Sequence, residues 1–363
     1  MKGVATTTQG LEEVTIEEIR ELTGKSAERV HLGLVKFECE EFDLFKLNFL
    51  GRSLHRVIVL LLEEHFSGLN DIYRKTREVD FSKYIKAEHS FAVRAKRCGI
   101  HDFTSVDVAA TVGQAVIDSY MEATGRRLKV NLEEPDIIVR VEVRDDNFWV
   151  GIDTTGEESL AKRGYRSFKH PASLKPTIAY SLVRLSGWQF NESLIDPVCG
   201  SGTIPIEAAR YACGIPNMKE VKLYSMPLFN SEPFQEFRCK YKPTKRKLRV
   251  FGSDINERYL RGAEENAKLA GVDVTFFKAD ACELPLDYDV IVANPPYGIR
   301  MGSPRKVEKF YERFAANIRR HDAWRSAVII TARPSTLVKY MGEPEREINI
   351  LFGDLPAKVL MYS

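Results

Sequence analysis

The sequence predicts an α/β protein in which a doubly wound, mostly parallel sheet follows two smaller α+β units. Its 363 residues exceed the roughly 100–200 residues of a single domain, so two or three domains are expected. The composition, with 44% hydrophobic and 29% charged residues, is typical of a folded globular chain. From Leu174 onward, long helical segments alternate with short apolar segments, which is the pattern of strands buried on both faces.

Residues 1–62 are predicted to form the first α+β unit. Strand-like and helix-like segments alternate there in a β-α-β-α-β order, which is typical of a split α/β unit. The predicted elements are strands at 2–8, 30–37 and 55–62 and helices at 10–22 and 41–50.

Residues 63–155 are predicted to form the second α+β unit, followed by a linker at 156–173. Gly125 and the basic residues Arg126 and Arg127 mark the end of its long helix. The predicted elements are helices at 70–77 and 105–123 and strands at 90–95, 137–143 and 147–152.

Residues 174–363 are predicted to form the parallel sheet. Its apolar strands are expected at 194–195, 249–252, 274–277, 290–293 and 327–331. Residues 211–247 interrupt this rhythm with four prolines and a basic stretch at 240–249, so we interpret them as an insertion that is available for RNA contact.

Composition excludes several classes of protein. No apolar run approaches the ~20 residues that cross a bilayer, and no secretory signal begins the chain, so we expect a cytoplasmic protein. The six cysteines are widely spaced without a C-x-x-C pair, which argues against zinc ribbons, iron–sulfur clusters and disulfide scaffolds. We expect no metal and no membrane partner, and we expect a monomer. A net charge of +2 indicates no polyanionic partner by itself.

A glycine turn follows the first strand of the predicted sheet. Residues 196–203 read Asp-Pro-Val-Cys-Gly-Ser-Gly-Thr, and Pro205 lies in the first turn of the next helix. Glycines let a ligand approach the backbone at the carboxyl edge of a parallel sheet, where such sheets bind ligands. The pattern is neither a dinucleotide fingerprint nor a phosphate loop. Asp196 would repel a pyrophosphate and favour a cationic or amine-bearing ligand.

Two more acidic residues come at the ends of the next two strands. Asp254 is placed to accept hydrogen bonds from the ribose hydroxyls of a nucleoside, and Asp280 from an adenine amine. Three carboxylates at successive strand ends, together with the glycine turn, predict a nucleoside site.

The fourth strand leads into Asn294-Pro295-Pro296-Tyr297. The Asn294 side-chain oxygen and the Pro295 carbonyl can both accept from one planar amine, and the prolines hold these acceptors in place. Tyr297 can stack on the base, at about 1–3 kcal/mol per stacked base. Accepting the amine protons lets the nitrogen lone pair localise, so no strong base is required.

The glycine turn and Asn-Pro-Pro-Tyr together resemble the class I S-adenosylmethionine-dependent amino-methyltransferases, which have a seven-stranded Rossmann fold. The segments at 91–105, 112–118, 135–137, 153–156 and 160–166 resemble a THUMP domain, an RNA-binding module that follows a ferredoxin-like domain. The whole chain is similar to THUMP-containing tRNA guanine-N2 methyltransferases that modify position 6 of the acceptor stem. Enzymes acting on position 10 usually carry aspartate before Pro-Pro-Tyr, so Asn294 favours position 6.

The resemblance implies a set of site residues. S-adenosylmethionine would be held by Asp196, Cys199, Gly200, Ser201, Gly202, Thr203, Asp254, Ile255, Asp280, Ala281 and Asn294. The guanine would be held by Asn294, Pro295, Pro296 and Tyr297. The segment 170–175 would close over the cofactor.

Basic residues beside the THUMP-like signature and on the linker are the expected RNA contacts. Phosphate contacts of this kind position an RNA without reading its sequence. These residues are Arg94, Lys96, Arg97, Lys162, Arg163, Arg166 and Lys169.

Position 10 of tRNA stays open as the target, and four further alternatives are considered at this stage. Adenine-N6 methyltransferases of nucleic acids also use Asn-Pro-Pro-Tyr, and ribosomal-RNA guanine methyltransferases share much of the pattern. An RNA-binding protein with an inactive methyltransferase domain would have lost a motif, and all motifs are present. A glutamine-N5 protein methyltransferase would leave the THUMP-like half unexplained.

Overall fold

The computed structural model describes residues 1–168, 173–217, 221–226, 229–298, 304–352 and 355–363. The strands are β1 (Lys2–Thr6), β2 (Ala27–His31), β3 (Leu34–Glu38), β4 (Arg56–His65), β5 (Ser90–Cys98), β6 (Lys129–Val130), β7 (Ile137–Arg144), β8 (Asn147–Asp153), β9 (Ser193–Asp196), β10 (Arg249–Asp254), β11 (Thr275–Lys278), β12 (Val290–Ala293), β13 (Ser326–Thr331), β14 (Arg346–Phe352) and β15 (Leu355–Tyr362). The α-helices are α1 (Glu12–Thr23), α2 (Glu41–Leu50), α3 (Leu69–Arg77), α4 (Ser105–Thr124), α5 (Pro176–Leu185), α6 (Thr203–Ala212), α7 (Glu232–Lys240), α8 (Glu257–Ala270), α9 (Pro304–Arg320) and α10 (Pro334–Met341).

The two N-terminal units share one eight-stranded sheet with the order β2-β3-β1-β4-β8-β7-β5-β6. Strand β4 pairs antiparallel with β1 along one edge and with β8 along the other. Its register against β8 shifts between Leu60 and Leu62, where the sheet passes from one unit into the next. The domain boundary that we predict at residue 62 therefore lies within a strand common to both units.

The prediction of a single strand at 30–37 is wrong. Those residues belong to an antiparallel hairpin formed by β2 and β3. Gly33 turns the chain with a φ of +77°, a left-handed conformation that glycine adopts without steric cost. The apolar–polar alternation continues through the turn and hides it.

Helix α4 shows how local sequence sets an element. The Thr104 hydroxyl accepts a hydrogen bond from the Asp107 N–H, and the Asp107 carboxylate accepts one from the Thr104 N–H at 2.7 Å. This capping box satisfies N–H groups that the first turn leaves free. Gly125, with a φ of +69°, ends the helix as predicted.

The C-terminal unit contains a seven-stranded sheet with the order β11-β10-β9-β12-β13-β15-β14. The first five strands in this order run parallel, β15 pairs antiparallel with β13, and β14 pairs antiparallel with β15 at the edge. The prediction of a doubly wound, mostly parallel α/β sheet is confirmed. The strand order reverses between β9 and β12, and open α/β sheets bind ligands at such a switch point.

The insertion at 211–247 packs on the N-terminal unit in its described part. The rings of Phe45 and Phe234 stack at 4.8 Å, and Phe42 meets Phe237 edge to face at 5.5 Å. The Asn217 N–H also donates to the Phe49 carbonyl at 2.7 Å. Helix α7 therefore fastens the methyltransferase-like unit to α2. Within the described residues, no helix is long and apolar enough to cross a membrane.

Candidate active site

The glycine turn lies between β9 and α6, at the carboxyl edge of the parallel sheet. Gly200 and Gly202 have φ angles of +53° and +76°. A Cβ on Gly202 would lie 2.9 Å from the Phe276 ring and 3.0 Å from the Ala263 Cβ. Both the backbone conformation and the crowding therefore require glycine at position 202. The turn contains the predicted cofactor residues Cys199, Gly200, Ser201, Gly202 and Thr203.

Asp196 is a buried carboxyl group at the start of this turn. It is 2% exposed, and one of its oxygens accepts from the Val198 N–H at 3.1 Å. Burial raises its pKa well above the usual value, and the nearby Asp254 carboxylate raises it further. A cationic or amine-bearing ligand would relieve this accumulation of negative charge.

Asp254 ends β10 and is anchored at both oxygens. One oxygen accepts from the Gly200 N–H at 3.1 Å and the other from the Asn256 N–H at 2.8 Å. A carboxylate has about four acceptor sites, so two hydrogen-bond donors of a ligand can still be accepted. Ile255 beside it is 66% exposed and offers an apolar surface to a flat ring.

Asp280 follows β11 and stabilises its own loop. One oxygen accepts from the Cys282 N–H at 2.9 Å, and the other lies 3.5 Å from an Arg313 guanidinium nitrogen. The neighbouring Ala281 side chain is buried. Sequence reasoning missed Arg313 because the pairing joins α9 to a loop 33 residues earlier in the chain.

The Asn294-Pro295-Pro296-Tyr297 loop follows β12 at the same edge of the sheet. Strands β9 and β12 are hydrogen-bonded neighbours, with Ile195 opposite Ile291, so the loop emerges beside Asp196. The Tyr297 hydroxyl donates a hydrogen bond to the Asn294 side-chain oxygen. Burial raises the pKa of Tyr297, which keeps the hydroxyl protonated as a donor. This contact was not predicted from the sequence.

A buried asparagine joins the linker to the glycine turn. Asn266 on α8 is 1% exposed, and its amide accepts from the Phe168 N–H and donates to the Phe168 carbonyl, both at 3.1 Å. The same amide nitrogen donates to the Ser201 carbonyl at 3.1 Å. After the undescribed residues, the Ser173 hydroxyl lies 3.1 Å from the Ser201 hydroxyl. The predicted cofactor-covering segment 170–175 therefore returns to the turn at Ser173, while 170–172 lie outside the described residues.

Three segments of the chain match known protein families. Residues 163–352 match the RMKL-like methyltransferase domain, residues 66–153 the THUMP domain and residues 2–58 the RlmL ferredoxin-like domain.

Two archaeal proteins named tRNA (guanine(6)-N2)-methyltransferase are similar to this chain along nearly its whole length. The protein from Methanocaldococcus jannaschii is 42% identical over 99% of this chain and 99% of its own. The protein from Archaeoglobus fulgidus is 40% identical over 99% of this chain and 91% of its own. This chain belongs to the THUMP-containing tRNA (guanine-N2)-methyltransferase family.

Solved structures share the arrangement of this methyltransferase. A possible methylase from Clostridium difficile 630 superposes with a TM-score of 0.90 at 26% identity, covering 99% of this chain and 97% of its own. TrmN from Thermus thermophilus superposes with a TM-score of 0.73 at 26% identity, covering 99% and 98%. A more distant relative, ribosomal RNA large subunit methyltransferase K/L of Photobacterium profundum, is 28% identical over 99% of this chain and 52% of its own.

The expectation that Arg163 of this methyltransferase contacts RNA is wrong. Arg163 is 2% exposed, and its guanidinium lies 3.5 Å from a Glu207 oxygen and donates to the Asn217 side chain at 3.1 Å. It also donates to the carbonyls of Leu160 and Arg52. A guanidinium enclosed in this way joins the linker to both halves of the protein and does not reach a phosphate.

The other predicted RNA contacts differ in how accessible they are. Lys96 and Lys162 are exposed and lie near Glu142 and Glu158 at 3.9 and 3.3 Å. Arg94, Arg97 and Arg166 are partly buried. Arg94 contacts Glu157, and Arg97 donates to the Gly99 carbonyl. Lys169 lies outside the described residues.

The described residues contain no group of three or more His, Cys, Asp or Glu side chains that could hold a metal ion.

Proposed function

We propose that this enzyme transfers a methyl group from S-adenosylmethionine to the N2 amine of a guanosine at position 6 in the acceptor stem of tRNA. One observation carries the proposal. The acceptors Asn294 and Pro295 stand at the carboxyl end of β12, beside the glycine turn that follows β9. The two archaeal relatives named tRNA (guanine(6)-N2)-methyltransferase support the choice of base, atom and position.

The residues at the sheet edge fit the cofactor. S-adenosylmethionine supplies an electrophilic methyl group on a sulfonium. Asp254 keeps acceptor sites for the two ribose hydroxyls, and Ile255 offers an apolar face for the adenine. Asp196 supplies a buried carboxyl acceptor at the start of the turn for an amine of the cofactor. Gly200 and Gly202 give the turn its left-handed backbone, and the other predicted cofactor residues around them are Cys199, Ser201, Thr203, Asp280 and Ala281.

The loop after β12 binds the target amine of the guanine. Asn294 Oδ1 and the Pro295 carbonyl accept the two amine protons, which lets the nitrogen lone pair localise as the methyl arrives. In the structure the Tyr297 hydroxyl donates to that same Asn294 oxygen. The incoming amine replaces the hydroxyl, and the Tyr297 ring stacks on the guanine. Pro296 keeps the loop backbone rigid.

In this proposal the N-terminal half binds the body of the tRNA, and residues 174–363 carry out the methyl transfer. Residues 1–62 and 63–155 act as ferredoxin-like and THUMP domains, and 156–173 connect them to the catalytic unit. Among the predicted phosphate contacts that the structure describes, Lys96 and Lys162 are the most accessible. A base in a stem has to leave the helix to reach the loop, at a cost of a few kcal/mol that backbone contacts offset. The enzyme would act as a monomer in the cytoplasm.

One experiment distinguishes the proposed target from the alternative targets. Purified enzyme would be incubated with methyl-labelled S-adenosylmethionine and unmodified tRNA transcripts, followed by nucleoside chromatography and mapping of the label. N2-methylguanosine at position 6, lost when G6 is replaced by A, is the expected result. Label at position 10, in adenine or only in ribosomal RNA would refute the proposed target.

A further inference from the structure

Arg333 lies beside the amine-binding loop without belonging to any motif. It follows β13, which pairs with β12 so that Ile329 stands opposite Ala293. Its Nε donates to the Tyr297 carbonyl at 2.7 Å. A guanidinium is therefore attached directly to the loop that holds the target amine.

The backbone of Arg333 is itself held in place. Its N–H donates to the Thr331 hydroxyl at 2.9 Å, and that hydroxyl shares a hydrogen bond of 2.7 Å with the buried Tyr311 hydroxyl. Helix α9, the end of β13 and the loop are thereby connected. Of the nitrogens in the half-buried guanidinium, only Nε has a hydrogen-bond partner within the described part of the chain, namely the Tyr297 carbonyl.

The loop acceptors alone do not select guanine. Asn294 and Pro295 can accept protons from the exocyclic amine of adenine as well as from that of guanine, because both amines are planar. The two bases differ in their remaining groups. With its N2 amine in the loop, guanine still carries the acceptor O6, whereas adenine, whose one exocyclic amine is already held, has no exocyclic oxygen left. A cationic donor fixed beside the loop favours guanine.

We infer that the terminal amino groups of Arg333 donate to O6 of the target guanine and so set the base specificity of the enzyme. The inference rests on the proposed function and deepens it. Arginine pairs well with guanine acceptors because its donors lie in one plane, and such a contact discriminates by about 10- to 100-fold. Through Nε the same side chain positions the Tyr297 carbonyl.

The test uses tRNA in which the target nucleotide is guanosine, 2-aminopurine or 7-deazaguanosine. 2-Aminopurine keeps the N2 amine and lacks O6, while 7-deazaguanosine keeps O6 and lacks N7. Single-turnover rates and KM would be measured for the wild type, Arg333→Gln and Arg333→Lys. Lys339→Gln changes an exposed cation on the neighbouring α10 and serves as the matched control.

We expect the wild type and Lys339→Gln to prefer guanosine over 2-aminopurine by about 10- to 100-fold, and to accept 7-deazaguanosine normally. In Arg333→Gln this preference should fall to about 2-fold or less, and in Arg333→Lys to an intermediate value. Any loss of loop support affects both bases equally and cancels in the ratio. Cofactor binding by each variant verifies the fold.

An unchanged preference in Arg333→Gln, with activity lowered equally for both bases, would show that Arg333 only supports the loop and would overturn the inference. Dependence on N7 would overturn it as well. Failure of the wild type to methylate guanosine would refute the proposed function, and this inference with it, in a separate arm of the experiment.

Discussion

Replacement of Asn266 by alanine tests whether the linker and the cofactor turn depend on one amide. The substitution removes four hydrogen bonds and leaves the Ser167 hydroxyl, the Phe168 N–H, the Phe168 carbonyl and the Ser201 carbonyl without these partners. A hydrogen bond contributes about 0.5–1.5 kcal/mol net, and a buried group left unpaired costs about 1–3 kcal/mol. Phe168 is half-buried, so water replaces part of the loss there. We expect unfolding to become easier by about 2–4 kcal/mol.

Cofactor binding separates the two effects of this substitution. Because the Ser201 carbonyl belongs to the glycine turn, its release should weaken S-adenosylmethionine binding by about 10-fold, or 1.4 kcal/mol. The matched control is Asn48→Ala. Asn48 is also fully buried, and its amide bonds to the Leu44 carbonyl and the Thr154 hydroxyl in the N-terminal unit.

Calorimetric titration with the cofactor and urea unfolding would be carried out on both variants. Both should lose comparable stability, and only Asn266→Ala should lose cofactor affinity. Wild-type affinity in Asn266→Ala would refute the reasoning that the linker holds the turn in its binding conformation.

Three further predictions concern the sheet edge. Gly202→Ala should weaken cofactor binding at least about 10-fold. Gly271→Ala should leave binding unchanged, because Gly271 has a similar φ of +69° but nothing lies within 4 Å of its Cβ position. Equal binding by the two variants would contradict the crowding argument. Asn294→Ala should lower the methyl-transfer rate by about 100-fold or more while cofactor affinity, measured by titration, stays within about 2-fold; a normal rate would exclude Asn294 as an amine acceptor. For Asp196, burial raises the pKa of the folded state, so the folded protein holds its proton longer and its stability falls as pH rises above about 4. Asp196→Asn should therefore raise the free energy of unfolding of the cofactor-free protein at pH 7 and leave it unchanged near pH 3; urea titrations at both pH values check this, and a destabilised variant at pH 7 would disprove it.

The parts of the site that could be predicted from the sequence are those encoded locally. Gly202 and Asp254 stand where a strand meets the next segment, so the order of residues alone places them at the edge of the sheet. Parallel strands bring these ends together whatever their separation in sequence. Asn294 is found in the same way.

The parts that sequence reasoning missed depend on tertiary contacts. Asn266 lies in the middle of a helix, and nothing in its neighbours shows that it meets Phe168 and Ser201. Arg163 belongs to a basic cluster that is typical of an exposed surface, and only the packing of the linker against Glu207 shows that it is buried. The hairpin at 27–38 was missed for a local reason, since Val30, Leu32 and Leu34 keep the apolar alternation across its turn.

Because the long strand β4 pairs with strands of both N-terminal domains, the two domains should be expressed together. The THUMP match begins at residue 66, just after β4 ends, yet β8 uses β4 as its hydrogen-bonding neighbour. A fragment limited to residues 66–153 would turn β8 into an open edge carrying Phe148, Val150 and Ile152, whose side chains belong to the core. Open apolar edges recruit strands from other molecules. We expect such a fragment to self-associate, whereas a fragment that begins at β1 keeps β8 paired with β4 and β4 paired with β1.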